Sequence, residues 1–312
     1  MFKGSHYIRI YAFFIILILT MVIAGGFLLN RQAKRLPPPA ELPPGATPVR
    51  AEAYYVNAAV ADVRANPDQG AELVTQALLG DEVKFLREED EWLQGQVSDG
   101  YIGWMQKMNL VKAAPPPAQD LVAVRVPRAI LYLEPGGDTQ AGEALLGTDL
   151  PLLEQKGDWL EVWLPGHTPA WVARQEIEIW PGGQVKEKRS GTDVIKVAER
   201  LLGVAYLWGG VSLYGIDCSG LTYIAYFLNG VQLPRDADMQ FKVGRPVARK
   251  DLQPGDLVFF NTSGTGTQPT HVGIYTGNGQ FLNSRSQQGV VISRLDEPLF
   301  TAGYLGARRY LP

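Results

Sequence analysis

From about residue 53 to 180, apolar and polar positions alternate in short runs that Gly, Asp and Pro interrupt every few residues, the period-two pattern of half-buried strands. The pattern also repeats. "ALLGDEVKFLREEDEWLQGQVSDGYIGWM" (77–105) aligns without gaps to "ALLGTDLPLLEQKGDWLEVWLPGHTPAWV" (144–172) at an offset of 67 residues. Both copies carry Leu-Leu-Gly, a Trp-Leu pair (Trp92, Trp159) and a later tryptophan (Trp104, Trp171). Two copies are too few, and their period too long, for a solenoid or propeller, so the repeat predicts two small all-β barrels, residues 50–113 and 120–180. "KAAPPPAQD" (112–120) and "WPGGQVKEKRSG" (180–191) have linker composition.

Beyond residue 190 the texture becomes α+β. Val194, Val197, Ala198 and Leu201 fall on one helical face, which predicts a helix over 192–203 with Thr192 or Asp193 as N-cap and Gly203 as stop. Residues 218–228 predict a second helix, ended by Asn229-Gly230. "GDLVFF" (255–260), "HVGIYTG" (271–277), "GQFLNS" (279–284), "GVVISRL" (289–295) and "YLGARRY" (304–310) predict consecutive strands of an antiparallel sheet.

At the other end, "IYAFFIILILTMVIAGGFLL" (10–29) is an uncharged apolar run long enough to span a bilayer as a helix. A cleaved signal peptide, with Val22 and Ala24 at its small-residue site, is the alternative, although the apolar run continues past that site. Residues 1–35 thus form an anchor or signal segment, and "LPPPAELPPGATP", within residues 36–49, is a Pro-rich spacer. The expected location is the cell envelope, with the body outside the cytoplasm. The chain of 312 residues has net charge −3, which becomes −8 once the five basic residues of 1–35 are set aside. No basic stripe remains to displace counterions from phosphate, which argues against a nucleic-acid partner. No Cys or His pair stands at metal spacing, and "NTSGTGTQPTH" (261–271) lacks the Lys-Ser/Thr of a phosphate loop, so neither metal nor cofactor is expected.

The single cysteine, Cys218, opens the second predicted helix, where unpaired N–H groups and the helix dipole favour a thiolate. A lone cysteine is also commonly a small buried hydrophobe. Thiol catalysis needs a base that returns its proton to the leaving amine, and His271 is the only histidine in the same domain. Asn283, twelve residues on in the next predicted strand, can orient the imidazole or simply end a hairpin.

"YLWGG" (206–210), "DCSG" (217–220), "LPRDADMQ" (233–240), "LQPGDLVFF" (252–260) and "HVGIYTGNGQFLNS" (271–284) together resemble the NlpC/P60 cysteine peptidases over residues 190–312. The "GYIGW" and "DEW"/"GDW" segments resemble bacterial SH3-type domains. The resemblance implies a papain-like catalytic domain preceded by two SH3-like barrels and an N-terminal transmembrane helix. It implies hydrolysis of peptidoglycan stem peptides at the γ-D-glutamyl–diamino acid bond, with Cys218 as nucleophile, His271 as base and Asn283 in a third position where many members have His. Tyr206 matches a tyrosine beside the reacting carbonyl. Asp217 and Ser219 match residues lining the substrate groove, or else cap the helix. In related enzymes the first barrel closes one end of the groove, which assigns Glu82 and Tyr101 to recognition of a free N-terminus. Ala237 stands where relatives often carry a hydroxyl. An acyltransferase or amidase on this fold, or a wall-binding scaffold, are the alternatives.

Overall fold

Residues 53–116, 120–185, 189–264 and 266–311 are described by the structure, a computed structural model. The expected anchor at 10–29 and spacer at 36–48 lie outside the described residues. Among the described residues no helix is long and apolar enough to cross a membrane.

The first β unit contains β1 (Ala53–Val56), β2 (Val60–Arg64), β3 (Leu73–Leu78), β4 (Glu82–Glu89), β5 (Trp92–Gln96), β6 (Ile102–Gln106) and β7 (Leu110–Lys112). The second contains β8 (Leu121–Val124), β9 (Arg128–Tyr132), β10 (Gln140–Leu145), β11 (Asp149–Lys156), β12 (Trp159–Val162), β13 (Ala170–Ala173) and β14 (Ile177–Trp180). Their strand orders, β3-β2-β6-β5-β4-β1-β7 and β10-β9-β13-β12-β11-β8-β14, are the same order seven strands apart. The agreement extends to defects. The register of β4 on β5 shifts between Phe85 and Arg87, and that of β11 on β12 between Leu152 and Glu154, each 67 residues on. A bulge conserved between copies marks a feature of the motif.

The C-terminal part begins with α1 (Gly191–Glu199), followed by the hairpin β15 (Val211–Ser212) and β16 (Gly215–Ile216), then α2 (Cys218–Phe227) and α3 (Ala237–Lys242). Its sheet is built from β17 (Arg245–Val247), β18 (Leu257–Phe260), β19 (His271–Gly277), β20 (Gln280–Arg285), β21 (Gly289–Arg294) and β22 (Tyr304–Arg309), with α4 (Pro298–Gly303) before the last strand. The strand order β17-β22-β18-β19-β20-β21 departs from a simple meander. After β21 the chain crosses back through α4, so β22 lies between β18 and the unexpected β17. Pro246 fits β17 to the edge, where no ladder N–H is missed. The N-cap of α1 is Ser190, not Thr192 or Asp193. Asp193 occupies the N3 position, and its carboxylate completes a capping box by accepting the Ser190 N–H.

Leu257 and Phe259 of β18 face α1 and α2, whereas Val258 and Phe260 face Phe300 of α4, so every residue of this strand is buried. The core on the α2 side is continuous with the β units, taking in Leu78 from the first and Ala123, Leu145, Leu146 and Trp180 from the second. Close approaches seal the three parts. A Cβ on Gly80 would lie 2.5 Å from Leu150 Cδ2, and one on Gly147 would lie 2.9 Å from Ile224 Cδ1. Arg125 Nη1 donates to the Leu228 carbonyl at 2.6 Å, and Trp180 packs edge-on to Phe227.

Candidate active site

Asp217 begins the site as the N-cap of α2, its Oδ1 accepting the Gly220 N–H at 2.6 Å. Cys218 is consequently the first helical residue. The backbone N–H groups of Ser219 and of Val272 in β19, the latter one residue from His271, act to lower the pKa of its thiol. Thiol and imidazole are not hydrogen-bonded to each other among the described residues, and such bonds often tighten only when substrate binds.

His271 is 8% exposed and shares the Phe260–Phe300 side of the sheet with Asn283. Its Nε2 lies 2.8 Å from Asn283 Oδ1. The wholly buried Asn283 donates through Nδ2 to the Val291 carbonyl and to Ser293 Oγ, which fixes the amide so that its oxygen faces the ring. Nε2 must therefore carry the proton, leaving Nδ1 as the basic nitrogen. Room for this contact comes from Gly273. A Cβ there would lie 2.5 Å from Phe281 Cδ2 and 3.0 Å from Asn283 Cβ.

The thiol is 7% exposed, and burial, reinforced by the Asp217 charge, pushes it up to about 12 against the lowering effect of its N–H donors and Arg235. Burial likewise holds His271 down to about 4, although its bond to Asn283 favours the charged ring. Desolvation thus opposes the charged thiol that the helix start and its N–H donors favour. Tyr206 pairs with Ile216 as an isolated bridge, and its hydroxyl is pushed above its ordinary range by burial and by the Cys218 and Asp217 charges.

Both oxygens of Asp217 are occupied. Besides Gly220 N–H, they accept the Gly209 N–H at 2.9 Å, the Ser219 hydroxyl, and both terminal nitrogens of Arg235 at 3.0 and 2.7 Å. This geometry fits the capping alternative better than contact with a substrate ammonium. Ser219 Oγ is tied to the same pair and accepts from Arg235 Nη1. Removing one partner of such a buried ion pair typically costs about 3–5 kcal/mol.

Tyr101 also bonds a carboxylate, but its hydroxyl donates to Asp236, not to Glu82. Glu82 is exposed, accepts from Tyr55 at 3.4 Å, and lines a cavity of about 250 Å³ with Asp81, Asp99, Asp149 and Tyr223. Asp236 is the N-cap residue of α3 and makes no side-chain cap bond, so its carboxylate is free to face Tyr101. A further acid, Glu72, accepts the indole N–H of the exposed Trp208 at 3.0 Å.

Sequence reasoning missed Trp208, Arg235 and Asp236 as individuals, although they stand inside the "YLWGG" and "LPRD" motifs. It had no signal for Thr75 and Gln76, polar residues of β3 that are buried against the C-terminal part. Gln76 Oε1 accepts from Val211 N–H and Ser212 Oγ across that boundary.

In comparison with known proteins, residues 203–309 match the NlpC/P60 family and residues 63–110 the bacterial dipeptidyl-peptidase Sh3 domain. The chain is similar to the gamma-D-glutamyl-L-lysine dipeptidyl-peptidase of Bacillus cereus (strain ATCC 10987 / NRS 248), 35% identical over 253 residues, which is 77% of this chain and 76% of that protein. A protein of the same description from Bacillus subtilis (strain 168) is 32% identical over 75% of this chain and 80% of its own length. The crystal structure of an NlpC/P60 family protein from Bacillus cereus ATCC 10987 superposes with TM-score 0.76 at 29% identity, covering 83% of this chain and all of that one.

Proposed function

The chain belongs to the NlpC/P60 family, and from that premise we propose that it is a cell-wall cysteine peptidase that cleaves peptidoglycan stem peptides between γ-D-glutamate and the following diamino acid. Two relatives described as acting on gamma-D-glutamyl-L-lysine support this substrate class. The observation that carries the chemistry is Cys218 as the first helical residue after the Asp217 N-cap, together with His271, whose Nε2 is fixed at 2.8 Å by Asn283.

The thiol proton passes to His271 Nδ1 as sulfur attacks the amide carbonyl. The Tyr206 hydroxyl and N–H groups at the start of α2 receive the negative charge on the carbonyl oxygen. The imidazolium returns the proton to the departing amine, leaving a thioester. Water then gives a proton to Nδ1 and attacks the thioester, which frees the γ-carboxylate and restores the thiol.

In this proposal Asp217 and Ser219 build the framework, while Tyr101 and Asp236, with Glu72 beside Trp208, receive the substrate's free ammonium. The second seven-stranded unit is read as SH3-like from its strand order, giving SH3-like domains at 50–113 and 120–180 and a catalytic domain at 190–312. Residues 10–29 are proposed to anchor the protein to the membrane, with the body on the wall side.

Digestion of L-Ala-γ-D-Glu-L-Lys and of its diaminopimelate counterpart, followed by mass spectrometry, tests the reaction. Cys218→Ala is expected to abolish cleavage while wall binding persists, and acetylating the substrate's amine should raise KM. Undiminished turnover by Cys218→Ala overturns the mechanism.

A further inference from the structure

Arg235 is 2% exposed, and each of its five N–H groups has an acceptor. Four bonds go to Asp217, Ser219 and the Gly210 carbonyl, all around the start of α2. The fifth leaves the catalytic part altogether. Nε donates at 3.2 Å to Thr75 Oγ1, a wholly buried hydroxyl on β3 of the first β unit. Thr75 in turn donates at 2.7 Å to Asp99 Oδ2, and Asp99 Oδ1 accepts the Tyr101 N–H at 2.8 Å. Tyr101 then reaches Asp236, the chain neighbour of Arg235. The contacts form a closed ring through two parts of the molecule. One side grips the N-cap of Cys218's helix, and the other carries the Tyr101–Asp236 pair.

We propose that Thr75 is a positioning residue for the thiol site, acting through Arg235 on Asp217, so that the docked first β unit is part of the framework that aims Cys218. This rests on the reading of Cys218 and His271 as the reacting pair. A guanidinium fork presents its donors in one fixed plane, so the Nε contact sets the angle at which the two terminal nitrogens meet Asp217. Burial works against the charge of Arg235, but Asp217, with smaller contributions from Asp99 and Asp236, more than offsets it. Losing the hydroxyl removes the acceptor of one buried guanidinium donor and one donor to Asp99, and the plane is then free to tilt. Tilt weakens the cover over Asp217, whose charge raises the Cys218 thiol and is opposed there by Arg235.

The test uses the full chain with Thr75→Val, which keeps the branched shape, and Thr75→Ser, which keeps the hydroxyl. Measurements are kcat and KM on L-Ala-γ-D-Glu-L-Lys, the pH profile of Cys218 alkylation by iodoacetamide, and Tm. Thr75→Val is expected to lower kcat about tenfold with KM within about twofold, to move the alkylation profile to higher pH, and to be rescued by Thr75→Ser. A residue that only stabilises the fold would lower Tm and leave both kcat and the alkylation profile of the folded protein unchanged. That result, or equal losses in the Val and Ser variants, overturns the proposal. If Thr75→Val does not fold, Asp99→Asn must shift kcat and alkylation in the same direction by less, and no shift overturns it. Should the wild type cleave no stem peptide, the peptidase reading fails on its own, while the alkylation profiles still decide the role of Thr75.

Discussion

Asn283 decides which nitrogen of His271 carries the proton. Because its amide hydrogens are taken by Val291 and Ser293, its oxygen must accept from Nε2–H, and Nδ1 is left for the thiol. Asn283→Ala removes orientation only, so kcat should fall by up to about a hundredfold. His271→Ala removes proton transfer as well and should lose about 10²–10⁴-fold and slow alkylation of Cys218 at neutral pH. Equal losses in folded variants would contradict this division. The same pair makes stability pH-dependent. The folded state holds His271 down to about 4 and Cys218 up to about 12, from ordinary values of 6.5 and 9.0. Folding therefore excludes a proton from the ring and retains one on sulfur. This contribution is full between pH 6.5 and 9, is lost through the ring as pH falls toward 4, and is lost through the thiol as pH rises toward 12. Tm of the wild type should drop below pH 6.5 more steeply than that of His271→Gln, and parallel curves would refute the assignment. Cys218, His271, Asn283 and Tyr206 stood out as candidates because their types are chemically distinctive and lie within ordered motifs. Glu82 and Tyr101 share a repeat copy, but a shared strand region does not fix which carboxylate a hydroxyl meets.

A helix start and the first residue of a strand hold the reacting groups, so small elements carry large consequences. Gly273 lies midway along β19, and its missing side chain lets Asn283 lie across toward the ring. Gly273→Ala should cost about 1–3 kcal/mol through overpacking against Phe281 and Asn283, read by urea denaturation. Activity should fall further than stability explains, and an active, equally stable variant would refute the close packing. The strands of the catalytic sheet were legible from alternation, with ends displaced by at most two residues. Neither α4 nor β17 was, since each is short and β17 contains Pro246. The return of β22 between β17 and β18 is a pairing of distant segments, which local periodicity does not encode.

One apolar core runs from Leu78 and Leu145 into Leu221 and Phe259, so the two β units and the catalytic part share their interior. Residues 53–311 are therefore expected to unfold in a single cooperative step. Far-UV and near-UV circular dichroism should give coincident urea transitions, and a separate early transition of the first β unit would contradict the shared core. The interface has polar specificity too, because Gln76 Oε1 accepts from the Val211 N–H and from the Ser212 hydroxyl, which itself accepts the Tyr214 N–H.

Local pattern was enough for the repeat, for the α+β texture of the C-terminal part and for singling out Cys218, His271 and Asn283 as the proposed reacting group. Those properties follow from local periodicity and from chemistry that few residue types possess. Tertiary structure alone decided that Thr75 and Asp99, more than a hundred residues before Arg235, complete its hydrogen bonding, and that Asp236 is the carboxylate Tyr101 meets. It also decided the burial that disfavours the charged forms of the thiol and the imidazole, since desolvation is set by everything packed around a group and not by its neighbours in the chain.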